Sequence, residues 1–225
     1  MRRAFCFDLD GTLTSEEILP RLAKEIGLFE EIATLTRATM EGLLPFENSF
    51  RLRVRLLSEV PISTVRGIIS DISLEHQLLR FVHENPADCY VVTGNLNVWV
   101  EGLQSKLKCR IFSSDADFDG DKLLGVAQII NKSDAIKILR DDYDQIIAVG
   151  DGMNDSSLFE AADICIAYGG VHDPVETLIN MAEIVTYHPS GLLNVLTTLR
   201  NKLSMDIKHE VISASGLGSR QGLHM

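Results

Sequence analysis

The sequence predicts an α/β fold: a doubly wound parallel sheet with a small all-helical cap inserted after the first strand. Three observations predict it. A short apolar run, Phe5-Cys6-Phe7, leads into two carboxylates one residue apart, Asp8 and Asp10, and stops at Gly11. From Glu75 onward, apolar strand patterns alternate with amphipathic helix patterns, as parallel strands joined by right-handed crossovers require. Between the two, residues 15–73 carry helical periodicity only. The expected division is a core of 1–14 and 74–212, a helical cap of 15–73, and a disordered tail of 213–225 rich in Gly and Ser.

The elements follow in order. Phe5 to Phe7 reads as a buried first strand. Ile18 to Ile26 is a helix with Ser15 as an N-cap and Gly27 at its end. Phe29 to Met40, Phe46 to Leu57 behind Pro45, and Ile62 to Ile72 are further short amphipathic helices. In the core, Glu75 to Asn85 is helical and Asp88 to Val92 is a strand ending in Thr93-Gly94-Asn95. Leu96 to Leu107 is a helix carrying the lone Trp99, which reads as core. Arg110 to Ser113 is extended, and Asp119-Gly120-Asp121 marks a hairpin turn. Ser133 to Arg140 is a helix introduced by Asn131-Lys132, and Gln145 to Val149 is a strand ending in Gly150-Asp151-Gly152-Met153-Asn154-Asp155. Helices at Ser156 to Ala162, Pro174 to Met181 and Gly191 to Leu203 enclose strands at Ile164 to Ala167 and Ile184 to Tyr187.

Bulk properties narrow the function. A net charge of −11 leaves no broad basic face for nucleic acid or an anionic membrane. A phosphorylated ligand would have to be drawn by a metal and a few local cations. Met1-Arg2-Arg3 resembles the start of a signal peptide, but the apolar stretch behind it breaks at Asp8. Cys6, Cys89, Cys109 and Cys165 lie far apart and read as small buried apolar residues of a reduced, cytoplasmic protein. The six histidines form no cluster in the sequence and read as incidental.

The chemistry gathers at strand ends. Residues i and i+2 of a strand point the same way, so Asp8 and Asp10 share one space at the carboxyl end of the first strand. Two carboxylates so close call for a cation or a shared proton, and a hard divalent ion such as Mg²⁺ suits them. Asp8/Asp10, Thr93 and Asp151/Asp155 all fall at carboxyl ends of parallel strands, where open α/β sheets hold their ligands. Lys132, just before a helix, adds an ammonium. Acids that hold Mg²⁺, with a hydroxyl and an ammonium for a phosphoryl group, allow one carboxylate to attack phosphorus. A second can then act as general acid and base.

Asp8-Leu-Asp-Gly-Thr12, Thr93, Lys132 and Gly150-Asp-Gly-Met-Asn-Asp155 resemble the four motifs of the haloacid dehalogenase-like superfamily, in its phosphatase branch. The resemblance covers about Arg3 to Tyr187 and implies a Rossmann-like core. It implies Asp8 as nucleophile and Asp10 as acid/base. Asp8, the Asp10 main-chain carbonyl and Asp151 would be the Mg²⁺ ligands. Thr93 and Lys132 would hold the phosphoryl group, with Gly94 and Asn95 among the substrate-binding residues, Asp155 orienting Lys132 or a metal-bound water, and Asn154 at the phosphate or substrate edge. Glu16-Glu17, Met40-Glu41-Gly42, Phe46 and Arg51-Leu-Arg53 resemble the helical cap of phosphoserine phosphatases. That implies Glu17 on a substrate ammonium, Arg53 on its carboxylate, and Met40 and Phe46 packed over the ligand. Two departures stand out: Gly11 where that group commonly has Ser, and Thr93-Gly94-Asn95 where it commonly has Ser-Gly-Gly.

Each residue also has a plainer reading. Asp10-Gly11 is a turn when taken alone, Lys132 a solvated lysine, Glu17 a first-turn acid, and Arg51, Arg53 and Arg55 a solvated basic face. The expected function is a Mg²⁺-dependent phosphomonoesterase for one small phosphorylated metabolite, O-phosphoserine first, in a monomer or homodimer. The alternatives are another small phosphomonoester as substrate, phosphoryl transfer to an alcohol, and a receiver-like signalling module without turnover.

Overall fold

A computed structural model gives the fold and describes residues 1–40 and 43–201, apart from the Met40 side chain. The 213–225 tail, Glu41, Gly42 and the end of the last helix therefore lie outside the described residues. Seven strands form one sheet: β1 (Arg3–Phe7), β2 (Cys89–Leu96), β3 (Arg110–Asp119), β4 (Lys122–Gln128), β5 (Gln145–Gly150), β6 (Ile164–Tyr168) and β7 (Ile184–Thr186). Their order is β4-β3-β2-β1-β5-β6-β7. Only β4 runs antiparallel, on β3, and the other pairings are parallel.

Strand β1 is buried along its whole length because both faces of the sheet are covered. Phe5 and Phe7 enter one core with Val91, Ile147, Val149 and Trp99. Ala4 and Cys6, alternating with them, enter the other with Ile136, Leu139, Leu158 and Leu178. Phe7 stands level with Val91 on one side and Val149 on the other. The chain leaves β1 toward β2 and β3, then returns to β5, β6 and β7 on the far side. The winding reverses between β1 and β5, and the crevice opens there.

Four helices lie between β1 and β2: α1 (Ile18–Ile26), α2 (Phe29–Met40), α3 (Phe46–Leu57) and α4 (Ile62–Ser70). The chain enters and leaves this block through a short stem. Thr14 bridges to Leu74, and the Ser15 amide donates to the Ser73 carbonyl at 2.9 Å. A second attachment lies at the far end. The Asp121 carboxylate, at the β3–β4 turn, accepts from the Ser63 amide at 2.7 Å and its hydroxyl at 2.6 Å. It thereby satisfies the open N-terminus of α4. Arg51 Nη1 donates to the Val126 carbonyl at 3.1 Å as a third.

The remaining helices are α5 (His76–Glu84), α6 (Asn97–Leu107), α7 (Lys132–Leu139), α8 (Ser156–Ala161) and α9 (Glu176–Met181), with residues 189–201 helical at the end of the described chain. One strand differs usefully from the sequence reading. β2 does not stop at Val92 but runs extended through Thr93-Gly94-Asn95 to Leu96. After a register shift, Leu96 pairs with Ser114 and is fully buried. Burying Leu96 keeps the backbone extended where the turn-prone Gly94-Asn95 pair reads as a break. The four cysteines are unpaired and buried. No helix among the described residues is long and apolar enough to cross a membrane.

Candidate active site

The site begins where β1 and β5 end side by side. Asp8 follows β1 directly, and its amide donates to the Val149 carbonyl at 2.9 Å. Beyond β5 the chain makes a single 3-10 turn, Met153–Asp155, which swings Asp155 back under its own loop. Asp155 Oδ2 accepts from the amides of Asp151 and Gly152, both at 3.1 Å. A Cβ on Gly150 would lie 2.6 Å from the Asp155 carboxyl carbon, so only glycine lets this loop close.

Lys132 is the first residue of α7, behind an Asn131 cap whose side chain accepts from the Ser133 amide. Its ammonium is buried and donates to Asp8 Oδ1 and, at 2.6 Å, to Asp155 Oδ1. Burial alone would lower the Lys132 pKa, but Asp155 and Asp8 outweigh it and raise it above the usual lysine range. Asp8 is pushed well above the ordinary carboxylate range by burial, then by Asp155. Asp151 is also pushed up, by burial first. Asp8, Asp151 and Asp155 bring carboxylate oxygens within 4.8 Å of one another. Three buried acids, two of them joined by the Lys132 ammonium, form a set of hard oxygen donors. That set fits a divalent cation such as Mg²⁺.

Asp10 lies beside this cluster but spends its oxygens differently. Oδ1 accepts from the Ile18 amide at 2.8 Å, capping α1, and Oδ2 accepts from the Asn95 side-chain amide. Its pKa is raised to about 7, by burial and then by Glu17. Asn95 also donates to Thr93 Oγ1, at 3.0 Å from its side chain. Asn95 is therefore a bridge between Asp10 and Thr93 rather than a bare contact surface. Thr93 is fully buried.

A cavity of about 270 Å³ lies above these groups, lined on the core side by Asp8, Asp10, Gly94, Asn95, Asp151 and Asn154. The helical block closes it with Glu17, Thr36, Phe46 and Arg53. Thr93 and Lys132 do not line this cavity; each reaches its rim through a bonded neighbour. Phe46 sits over Gly94, where a Cβ would be 3.2 Å from its ring, and stacks on Phe50 with centroids 5.8 Å apart. Arg53 is buried, with its guanidinium 5.9 Å from the Phe46 ring centre. Nε donates to the Ser49 carbonyl at 3.4 Å, and among the described residues no carboxylate pairs with it. Burial lowers its pKa, while Asp10 and Glu17 act to raise it. Met40 ends α2, but its side chain falls outside the described atoms.

No sequence pattern marks a histidine, yet the structure brings His172 against two of the site's acids. This residue lies in the loop after β6, and its Nε2 is 2.9 Å from Glu17 Oε1 and 2.8 Å from Asp151 Oδ2. Its pKa is pushed up to about 11 by its bond to Asp151, then by Glu17. It sits 155 residues from Glu17, with no periodic pattern around it, so only tertiary packing reveals it.

Comparison with known proteins bears on the family and the fold. Residues 2–163 match a family model described as haloacid dehalogenase-like hydrolase. The chain is 32% identical over 182 residues to a phosphoserine phosphatase of Methanocaldococcus jannaschii, covering 74% of this chain and 85% of that one. It is 31% identical over 180 residues to a phosphoserine phosphatase of Archaeoglobus fulgidus, covering 74% of this chain and 52% of that one. It therefore spans about half of the second relative's length. Its fold is similar to a solved phospho-aspartyl intermediate analogue of phosphoserine phosphatase, with a TM-score of 0.68 at 29% identity over 82% of this chain and 92% of that one.

Proposed function

The chain belongs to the haloacid dehalogenase-like hydrolases, and from that premise we propose that it is a Mg²⁺-dependent phosphomonoesterase whose substrate is O-phosphoserine. The observation that carries the substrate is Arg53. A buried guanidinium facing a small cavity, without a carboxylate of its own, is costly unless the ligand brings one. Glu17, on the same wall, offers the opposite charge to an ammonium. Between them the cavity presents Asp8 to the phosphoryl end.

In the proposed reaction an Asp8 oxygen attacks phosphorus, and the bond from phosphorus to the serine oxygen breaks. Asp10 gives its proton to that oxygen, releasing serine and leaving an acyl phosphate on Asp8. Asp10 then takes a proton from water as the water attacks phosphorus, the bond from phosphorus to the Asp8 oxygen breaks, and free phosphate leaves a restored Asp8 carboxylate. A pKa of about 7 supports both duties near neutrality. Lys132, held by Asp155, keeps positive charge beside Asp8 throughout. Asp8, Asp151 and the main-chain carbonyl of Asp10 would hold Mg²⁺, which when bound offsets charge on the nucleophile and the phosphoryl oxygens. Gly94 would flank the phosphoryl group, with Thr93 behind it through Asn95, and Asn154 and Phe46 would stand at the substrate edge.

In this reading residues 15–73 are the cap that encloses the substrate and excludes water, over a core of 1–14 and 74–212, of which 202–212 lie outside the described residues. The enzyme would work on free metabolites in the cytoplasm, as a monomer or homodimer. The test is phosphate release from a panel of phosphorylated metabolites, with no added alcohol acceptor. Release should favour O-phosphoserine, stop on chelation and return with Mg²⁺. A protein that is phosphorylated but releases no phosphate would overturn the hydrolase reading. A strong preference for esters without a carboxylate would overturn the substrate.

A further inference from the structure

We propose that His172 is a specificity-determining residue that competes with the substrate's ammonium group for Glu17. The inference rests on the phosphoserine reading above and deepens it. Its basis is a shared notch. Gly11 has a positive φ of 69°, and a Cβ there would lie 3.0 Å from Glu17 Oε1 and 3.5 Å from His172 Nε2. With no side chain at position 11, Glu17 and His172 meet in the space left, 2.9 Å apart, and His172 Nε2 shares that contact with Asp151 Oδ2 at 2.8 Å. The histidine loop is fixed there by the Val175 amide, which donates to the Asp151 carbonyl at 3.0 Å. His172 Nδ1 lies 3.2 Å from the Asp173 carbonyl, which holds the ring's other edge.

Glu17 thus meets a ligand with one oxygen already engaged by a donor of this chain. An incoming ammonium must use the other oxygen or displace the imidazole. Arg53, on the same cavity, has no such internal competitor among the described residues. The grip is therefore lopsided, firm on the substrate carboxylate and discounted on the ammonium. The wild-type protein should discriminate weakly between O-phosphoserine and the same ester lacking the amine, 3-phosphooxypropionate.

The experiment measures kcat/KM for both esters in the wild type, His172→Ala and His172→Gln. His172→Ala frees Glu17 and should raise the phosphoserine preference on the order of ten-fold, mainly through KM. His172→Gln keeps a donor near Glu17 and should fall back toward the wild-type ratio. In a Glu17→Gln background the loss of His172 should no longer move the ratio. An unchanged ratio in His172→Ala, with phosphoserine still hydrolysed, overturns the role of His172 alone. No phosphate release from either ester by the wild type overturns the phosphoserine reading instead, and the inference with it. If His172→Ala fails to fold, the ring resonances of His172 give a second readout in the Asp8→Asn protein. They should shift with O-phosphoserine and hold still with the des-amino ester, and equal shifts would sink the proposal.

Discussion

The two walls of the cavity are built on different terms. On the core wall the central polar groups already have partners: Lys132 holds Asp8 and Asp155, Asp155 holds the Asp151 and Gly152 amides, and Asn95 ties Asp10 to Thr93. On the helical wall Arg53 has no carboxylate among the described residues, and the buried Thr36 hydroxyl has no partner. Chemistry needs a fixed array of charge before the substrate arrives. Selection works best when the ligand completes the hydrogen bonds, because a wrong ligand then leaves buried groups unpaired.

That contrast can be broken or sharpened by substitution. The largest effect should come from Asp8→Asn. An amide is a poor nucleophile, and phosphate release should fall below about one per cent of wild type; faster turnover would show that the core wall does not act covalently. Asp155→Ala should follow. Among the described residues, it takes from Lys132 one of its two acceptors and from two loop amides their only one, lowering unfolding free energy by roughly 3–5 kcal/mol in urea titration, with activity lost as well. A stable variant would mean the core wall is not a connected array.

Arg53→Ala should act in the opposite style. We expect KM for O-phosphoserine to rise on the order of ten- to a hundred-fold, with far less change for an aryl phosphate that has no carboxylate. Equal effects on the two esters would remove the division between the walls. The smallest effect belongs to Thr36→Val. Unfolding free energy should stay within about 0.5 kcal/mol of wild type, since no hydrogen bond is lost. KM should rise only roughly two- to ten-fold if the hydroxyl meets the substrate. A stability loss without a KM change would show the group to be structural.

Much of the core wall was legible in the sequence, because its residues follow strand ends and parallel strands bring those ends together. Asp8, Asp151, Asp155 and Lys132 needed only that rule and a short motif each. Phe46 and Arg53 stood out only through the resemblance of their helix to a known cap, since its periodicity alone reads Arg51, Arg53 and Arg55 as a solvated face. The role of Asn95 was harder to read. Gly94-Asn95 signals a turn locally, and only the burial of Leu96 and pairing with β3 keep it extended, so its bridge from Thr93 to Asp10 is a tertiary fact. His172 was illegible for a related reason: Glu17 lies 155 residues away and Asp151 on another strand's loop, and the vacancy that admits it is the absence of a side chain at Gly11.

The bond between Asp121 and the start of α4 has a mechanical consequence. A block pinned only at its Thr14–Leu74 stem would swing like a door on one hinge. Here the far edge is bolted to the tip of a hairpin that grows from the sheet itself. Swinging all four helices as one body would have to break that pairing, together with the Arg66 bonds that tie α4 to the Val98 carbonyl and to Glu101.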